Sequence, residues 1–214
     1  MAEFPIHPTR TAVINVDMQR CFVEGTPLAP PAGIELAGRI NRLTAACREA
    51  NVLVVHTRCR LEADGSNLGI VPELVPPFIY ALYTAGAGTG EMHDAVTVAD
   101  GDVIVDKPRY GAFTGTDLES MLRSRGIDTV VISGIATNIC CETTAREASQ
   151  LDFRVIFLSD GTATQAMNGV SAEDLQRATC ASLGQVFAEI ATIDDLLAKI
   201  AAGSAAPFAA QVAR

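Results

Sequence analysis

Residue types that do chemistry together recur at the ends of apolar runs. Asp17 closes TAVINVD (11–17), Lys107 closes DVIVDK (102–107), and Cys140 and Cys141 follow TVVISGIA (129–136) in NICCETTAREASQ (138–150). A carboxylate, an ammonium and a thiol are the parts of a nucleophilic hydrolase. The thiol attacks a carbonyl, the acid moves its proton, and the cation holds the acid ionised. His56, in VLVVHT (52–57), and Asp160, in FRVIFLSD (153–160), sit near the ends of two further runs. Singly, such residues say little: an aspartate there is ordinarily a turn residue, a lysine a solvated charge and a cysteine core packing. In an open α/β sheet, however, ligands bind beyond the carboxyl ends of the strands, so an acid, a lysine and a thiol would converge on one edge.

Helix geometry separates the two cysteines. Successive helical residues lie about 100° apart. From Cys141 the three- and four-residue steps reach Thr144, Ala145, Ala148 and Leu151, a small and apolar stripe suited to packing on a sheet. From Cys140 they reach Thr143, Thr144 and Glu147, a more polar face. Cys140 also falls in the first turn, where unpaired N–H groups and the helix dipole favour a thiolate. We therefore expect Cys140 to be a nucleophile with a lowered pKa and Cys141 to pack. The N–H of Cys140 and one from the Gly-Ile-Ala-Thr turn are donors for a developing oxyanion. Histidine is a poor base here. His7 is in the N-terminal arm, His93 is in a long irregular stretch, and HTRCR around His56 offers no carboxylate to orient it. A structural or site-lining role is expected for His56.

The elements that would position these residues alternate between short β-rich runs and longer helical stretches. Helices are predicted over 33–51, 116–126, 138–150, 172–183 and 193–201, and a sixth strand at QVFAEI (185–190). Nearly continuous apolar strands joined by helices predict an α/β fold: a single-domain, three-layer α/β/α arrangement with a mostly parallel six-stranded sheet. The stretch from Arg58 to about Gly101 is rich in Gly and Pro and too long for a simple connection, so it reads as a functional excursion. Residues 1–10 read as an N-terminal arm and the Ala-rich residues 203–214 as a flexible tail of a single domain spanning 1–214.

Composition narrows the partners. With 49% hydrophobic and 19% charged residues among 214, the chain is expected to be globular. A formal net charge of −9 argues against nucleic acid and anionic membrane as partners. The six cysteines show no zinc spacing, and MAEFPIHPTR shows neither a basic n-region nor an apolar h-region. Reduced thiols in a cytoplasmic protein are the expectation.

The motifs VDMQ (16–19), DKPRYGAF (106–113) and SGIATNICCETTAREA (133–148) resemble, in that order, the isochorismatase-like cysteine hydrolase superfamily, with GTGEMHDAV (88–96) a weaker match. The resemblance implies the Rossmann-like fold of that superfamily and a triad of Asp17, Lys107 and Cys140. It also implies a cis peptide between Ile135 and Ala136, with the Ala136 and Cys140 N–H groups as an oxyanion hole. Two positions depart from the family pattern: Cys21 stands where a second acid is frequent, and Cys141 where valine is usual. HTRCRLEADGSN lacks the Asp-x-His pattern of the metal-binding nicotinamidases, so no metal and no cofactor are expected. A cysteine at 140 favours C–N cleavage over vinyl-ether hydrolysis, and KPRY with GIATN-x-C resembles ureidoacrylate and N-carbamoyl amidohydrolases. The implied activity is hydrolysis of a small linear amide or ureido acid through a Cys140 thioester. The rival readings are an isochorismatase-type ether hydrolase in which Cys140 is a bystander and a thiol-based sensor or binding protein. Gln19, Phe22, Tyr110, Phe113, Thr137 and Asn138 are candidate substrate contacts, and Arg58 or Arg109 would pair with a substrate carboxylate. A homodimer or homotetramer is the family expectation.

Overall fold

The computed structural model describes residues 3–205. The first half contains β1 (Thr11–Val16), α1 (Arg20–Val23), α2 (Gly33–Glu49), β2 (Leu53–Cys59), α3 (Val71–Leu74), α4 (Pro77–Tyr80) and β3 (Val103–Lys107). The second half contains α5 (Leu118–Ser124), β4 (Thr129–Ile135), α6 (Glu142–Gln150), β5 (Arg154–Ala163), α7 (Ala172–Val186), β6 (Glu189–Ala191) and α8 (Ile193–Ala205). The strands form one six-stranded sheet in the order β3-β2-β1-β4-β5-β6, and every pair is parallel. Chain order reverses between β1 and β4, which opens a crevice at their carboxyl ends.

The strands read as continuous apolar runs because both faces are covered. Every residue of β1 and β4 is buried. Alternate residues point to opposite faces. Ile14, Val130, Ile132 and Phe157 pack with Leu118, Leu122, Ala145 and Leu183 of α5, α6 and α7. Val13, Val131, Ile156 and Leu158 pack with Leu43, Cys47, Leu196 and Ile200 of α2 and α8. Full burial of a side chain of this size contributes about 1.5–3 kcal/mol. The N-terminal arm joins the second face: Ile6 is buried in that cluster, and the Phe4 N–H donates to Glu189 at 2.6 Å.

Several element ends differ from the sequence reading. The helix read as ending at 183 runs on to Val186, and β6 begins only at Glu189. The Phe187 and Ala188 N–H groups both bond to Leu183 O, so helical bonding claims residues that looked like a strand. β5 continues to Ala163, which places Asp160 inside the strand, where Oδ1 accepts from the Ile193 N–H at the start of α8. Asp160 thus belongs to the join between β5 and α8 and not to the sheet edge where a ligand would bind. α8 continues through residues 203–205, and Gly203 lies against the arm: a Cβ there would be 2.3 Å from Ile6 O. The remainder of the expected flexible tail lies outside the described residues. No helix among the described residues is long and apolar enough to cross a membrane.

Candidate active site

Asp17 is the first residue beyond β1, and its backbone turns into the left-handed region at φ 52°. Aspartate tolerates that conformation better than most residues, at a cost of about 1–2 kcal/mol. Its carboxylate is 1% exposed and is held from both sides. Thr57 Oγ, from the neighbouring β2, donates to Asp17 Oδ1 at 2.7 Å and accepts from the Asp17 N–H at 3.2 Å. Lys107 Nζ lies 2.7 Å from Asp17 Oδ2. The contact is an ion pair and Oδ2 accepts no hydrogen bond, so it keeps an open lone pair.

Lys107 ends β3 and is fully buried. Its ammonium donates to Arg109 O at 3.0 Å and Tyr110 O at 2.9 Å, besides facing Asp17. Two of its three protons are thus hydrogen-bonded, and the charge is paired with the carboxylate. Burial disfavours the charge and is the largest single influence, but Asp17 together with the Cys140 and Cys59 sulfurs offsets it and raises the lysine above its ordinary range. The lysine therefore stays protonated, and it ties the 109–110 backbone to Asp17.

Cys140 sits in a wide π-type turn, Thr137–Cys141, between β4 and α6. The Cys141 N–H reaches back five residues to Ala136 O at 3.1 Å, and the Ile139 N–H reaches the same oxygen at 3.2 Å. The turn starts at a cis Ile135–Ala136 peptide, and Gly134 before it has φ 117°. A Cβ on Gly134 would lie 2.1 Å from Val16 O, so only glycine lets β4 approach β1 this closely beside Asp17. The Cys140 thiol feels the charges of both Lys107 and Asp17. Cys141 is fully buried, with Sγ directed at Ser133 O, 3.8 Å away. The two cysteines thus face different surroundings, one the crevice and one the sheet.

The expected lowering of the Cys140 pKa is reversed. Burial pushes the thiol well above its ordinary value, and Lys107 only partly opposes this. The helix-dipole argument overlooked how little water reaches a side chain that is 7% exposed. Burial thus favours the neutral thiol at rest.

The loop after Lys107 is clamped onto α6. Thr144 Oγ donates to Cys140 O at 2.7 Å and accepts from the Ala112 N–H at 3.2 Å. Glu147 accepts from the Phe113 N–H at 2.9 Å. Gly111 lets the Glu147 carboxylate come this close, since a Cβ would lie 2.2 Å from it and push it aside. Thr57 was not singled out in the sequence, and Thr144 and Glu147 entered only as part of the polar helix face beside Cys140. Only the topology brings them to the site.

A pocket of about 180 Å³ opens over Cys140. Its walls come from three places. Phe22 and Leu28 follow β1, Val75, Ile79 and Tyr83 belong to the excursion, and Gln165 and Met167 follow β5. Cys59, Tyr110, Ile135, Ala136 and Ile139 complete the lining. The volume is below the ~300–1,000 Å³ of sites for drug-sized ligands. Among the described residues, no group of three or more His, Cys, Asp or Glu could hold a metal ion.

The profile of the isochorismatase domain matches residues 11–195. The chain belongs to the isochorismatase family. It is therefore a hydrolase, and its curated relatives include the ureidoacrylate amidohydrolase RutB of Variovorax paradoxus, 30% identical over 94% of this chain and 85% of that protein. The corresponding enzyme of Methylorubrum extorquens is 35% identical over 71% of this chain and 69% of its own length. A cysteine hydrolase from Pseudomonas syringae pv. phaseolicola superposes with a TM-score of 0.90 at 36% identity, covering 94% of this chain and 97% of that one. An isochorismatase family protein from Burkholderia thailandensis gives 0.78 at 30% identity, over 93% and 100%.

Against this isochorismatase-family framework the remaining sequence candidates divide sharply. Phe22 and Tyr110 line the pocket. Gln19 is fully buried and bonded to the backbone of Cys59 and Gly90, so it ties α1 to β2 and the excursion. Phe113 packs on Phe153 in the core, 5.7 Å between ring centroids. Thr137 donates to Gln176 of α7. Asn138 accepts from Thr164 Oγ and donates to Met167 Sδ, which holds the loop carrying Gln165 and Met167. Arg58 is bound by Asp106 and Glu91, and Arg109 by the carbonyls of Asn67 and Pro108, so neither points into the pocket. His56 lies within β2, fully buried, with Nε2 3.2 Å from Asp102 Oδ2. Its carboxylate partner comes from just before β3, out of reach of a local sequence reading. Cys21 is buried beside Leu61, Val71 and Tyr83, and burial pushes its thiol up to about 12.

Proposed function

We propose that the protein is an amidohydrolase that cleaves the C–N bond of a small linear amide or ureido acid through a thioester on Cys140. The observation that carries this reading is the fully buried Asp17–Lys107 pair acting on a neutral thiol at the pocket wall. Relatives named ureidoacrylate amidohydrolase support C–N over ether cleavage.

The steps follow from that geometry. A substrate carbonyl enters above Cys140. Asp17 Oδ2, with its open lone pair, takes the thiol proton as sulfur attacks the carbonyl carbon. Delaying deprotonation until attack avoids a buried free thiolate, which burial disfavours. The tetrahedral oxyanion accepts from the Ala136 and Cys140 N–H groups, each such donor being worth about 10²–10³ in rate. Collapse breaks the C–N bond, and Asp17 returns the proton to the departing amine. Water then attacks the thioester, giving its proton to Asp17, and the acid leaves as the thiol re-forms. Lys107 keeps its proton throughout and stabilises the carboxylate form of Asp17 between transfers. Thr57 and the Lys107–carbonyl bonds are positioning contacts.

The test is ammonia release from a panel of small amides and ureido acids, with wild type and Cys140→Ala assayed side by side. Turnover by wild type and a loss of at least ~10³-fold in the variant are expected for removal of a nucleophile. Retained ammonia release by Cys140→Ala would refute the thioester, and no ammonia release by wild type from any compound would leave ether hydrolysis, with Cys140 a bystander, as the better description.

A further inference from the structure

We infer that the acyl part of the substrate is uncharged and apolar, and that this chain discriminates against amides carrying a carboxylate. This deepens the amidohydrolase reading and rests on it for the reaction, though not for the shape and charge of the pocket.

The pocket wall is made of Phe22, Leu28, Val75, Ile79, Ile139 and Met167, with only Gln165, the two tyrosines Tyr83 and Tyr110, and the thiols as polar side chains. No arginine, lysine or histidine lines it among the described residues. Every cation close in sequence to the lining is committed elsewhere. Lys107 is shared between Asp17 and two backbone carbonyls. Arg58 is forked onto Asp106 and also bonded to Glu91, and Arg60 faces Glu91. Arg20 is held by Asp94 and Gly88 O, Arg109 by Asn67 O and Pro108 O, and His93 by Glu24. A substrate carboxylate would be desolvated with no counterion, close to the negative charge of Asp17. An unpaired buried charge is strongly disfavoured, whereas an aliphatic group gains from leaving water.

The leaving side is equally constrained. The amine departs between Cys140 and Asp17, and Asp17 and Lys107 are 1% and 0% exposed. An acid this enclosed favours the smallest leaving group, ammonia. The ligand class is therefore a short aliphatic primary amide: the thioester forms as the C–N bond breaks, and the thiol proton leaves with ammonia. This departs from the ureido acid in the names of the curated relatives.

An isosteric pair isolates the charge. Ammonia release is measured for 4-methylpentanamide, succinamic acid and 3-ureidopropionic acid with wild-type protein. Binding of the same three compounds to Cys140→Ala is measured by calorimetry. The inference predicts kcat/KM for 4-methylpentanamide at least ~100-fold above both acids, the penalty of an unpaired carboxylate in an apolar site. It also predicts measurable binding of the neutral amide alone. Equal or faster turnover of either acid, or tighter binding of an acid, overturns it. Selective binding of 4-methylpentanamide without turnover of any compound would uphold the pocket assignment while sinking the amidohydrolase reading. No binding and no turnover would overturn both.

Discussion

Replacing Lys107 by methionine keeps most of the side-chain volume and removes only the charge. Its consequences can be worked out from the contacts. Asp17 would remain 1% exposed with its only cation gone, and Arg109 O and Tyr110 O would each lose a donor. Breaking a buried pair by removing one partner costs about 3–5 kcal/mol. For a chain of this size that is a fall in Tm of about 6–20 °C. Asp17→Asn alone should be comparably damaging, because it strands a fully buried ammonium. The double variant Asp17→Asn/Lys107→Met leaves no buried charge. It should be more stable than the sum of the two losses by at least ~2 kcal/mol, a coupling within the range seen for residues in one network. Equilibrium urea unfolding of the four proteins, monitored by circular dichroism with a common m-value, measures that coupling. Additive losses, or a Lys107→Met variant within ~0.5 kcal/mol of wild type, would refute the claim that this pair organises the site.

Three further outcomes are expected. Cys141→Val should retain activity and lose less than ~1.5 kcal/mol of stability, since the exchange keeps volume in the core, as chemical denaturation and an activity assay can check. Gly134→Ala should fail to give a soluble folded protein or lose more than ~4 kcal/mol, because the new Cβ would meet Val16 O at 2.1 Å at φ 117°. His56 provides a pH test. Burial holds its imidazole below the ordinary value of 6.5, against the pull of Asp102 and with Arg48 adding to the depression. The unfolded chain therefore binds a proton near pH 6.5 that the folded chain refuses, so His56 favours folding above that pH and loses this contribution as pH falls through its folded value. Wild-type Tm should decline more between pH 7 and 5 than that of His56→Asn, and parallel curves would contradict the assignment.

The sheet was legible because the strands are buried on both faces: TAVINV and TVVISGI carry no ambiguity of period. The meeting of Asp17, Lys107 and Cys140 was legible for the same reason, since their places at strand ends follow from the strands. The supports were hidden. Thr57 looks like any β-branched residue of a strand and Thr144 like any residue of a helix face. Only the β1–β2 and loop–α6 neighbours turn them into ligands of Asp17 and Cys140. Val75, Ile79 and Tyr83 do recur at four-residue intervals, a pattern that was available but lay in a Pro-rich stretch read as irregular. Gln165 and Met167 were missed because Asp160 looked like a strand end, whereas β5 runs to Ala163. The direction of the Cys140 shift was misread because a turn's dipole is visible in sequence and the desolvation of its side chain is not.

The central claim is that Cys140 carries the acyl group. Acid-quenching the protein during turnover of a short aliphatic amide, then mapping peptides by mass spectrometry, tests it directly. The account predicts an acyl increment on Cys140, unchanged in Cys141→Val and absent in Cys140→Ala together with turnover. An increment on Cys141, or wild-type turnover by Cys140→Ala, would contradict it.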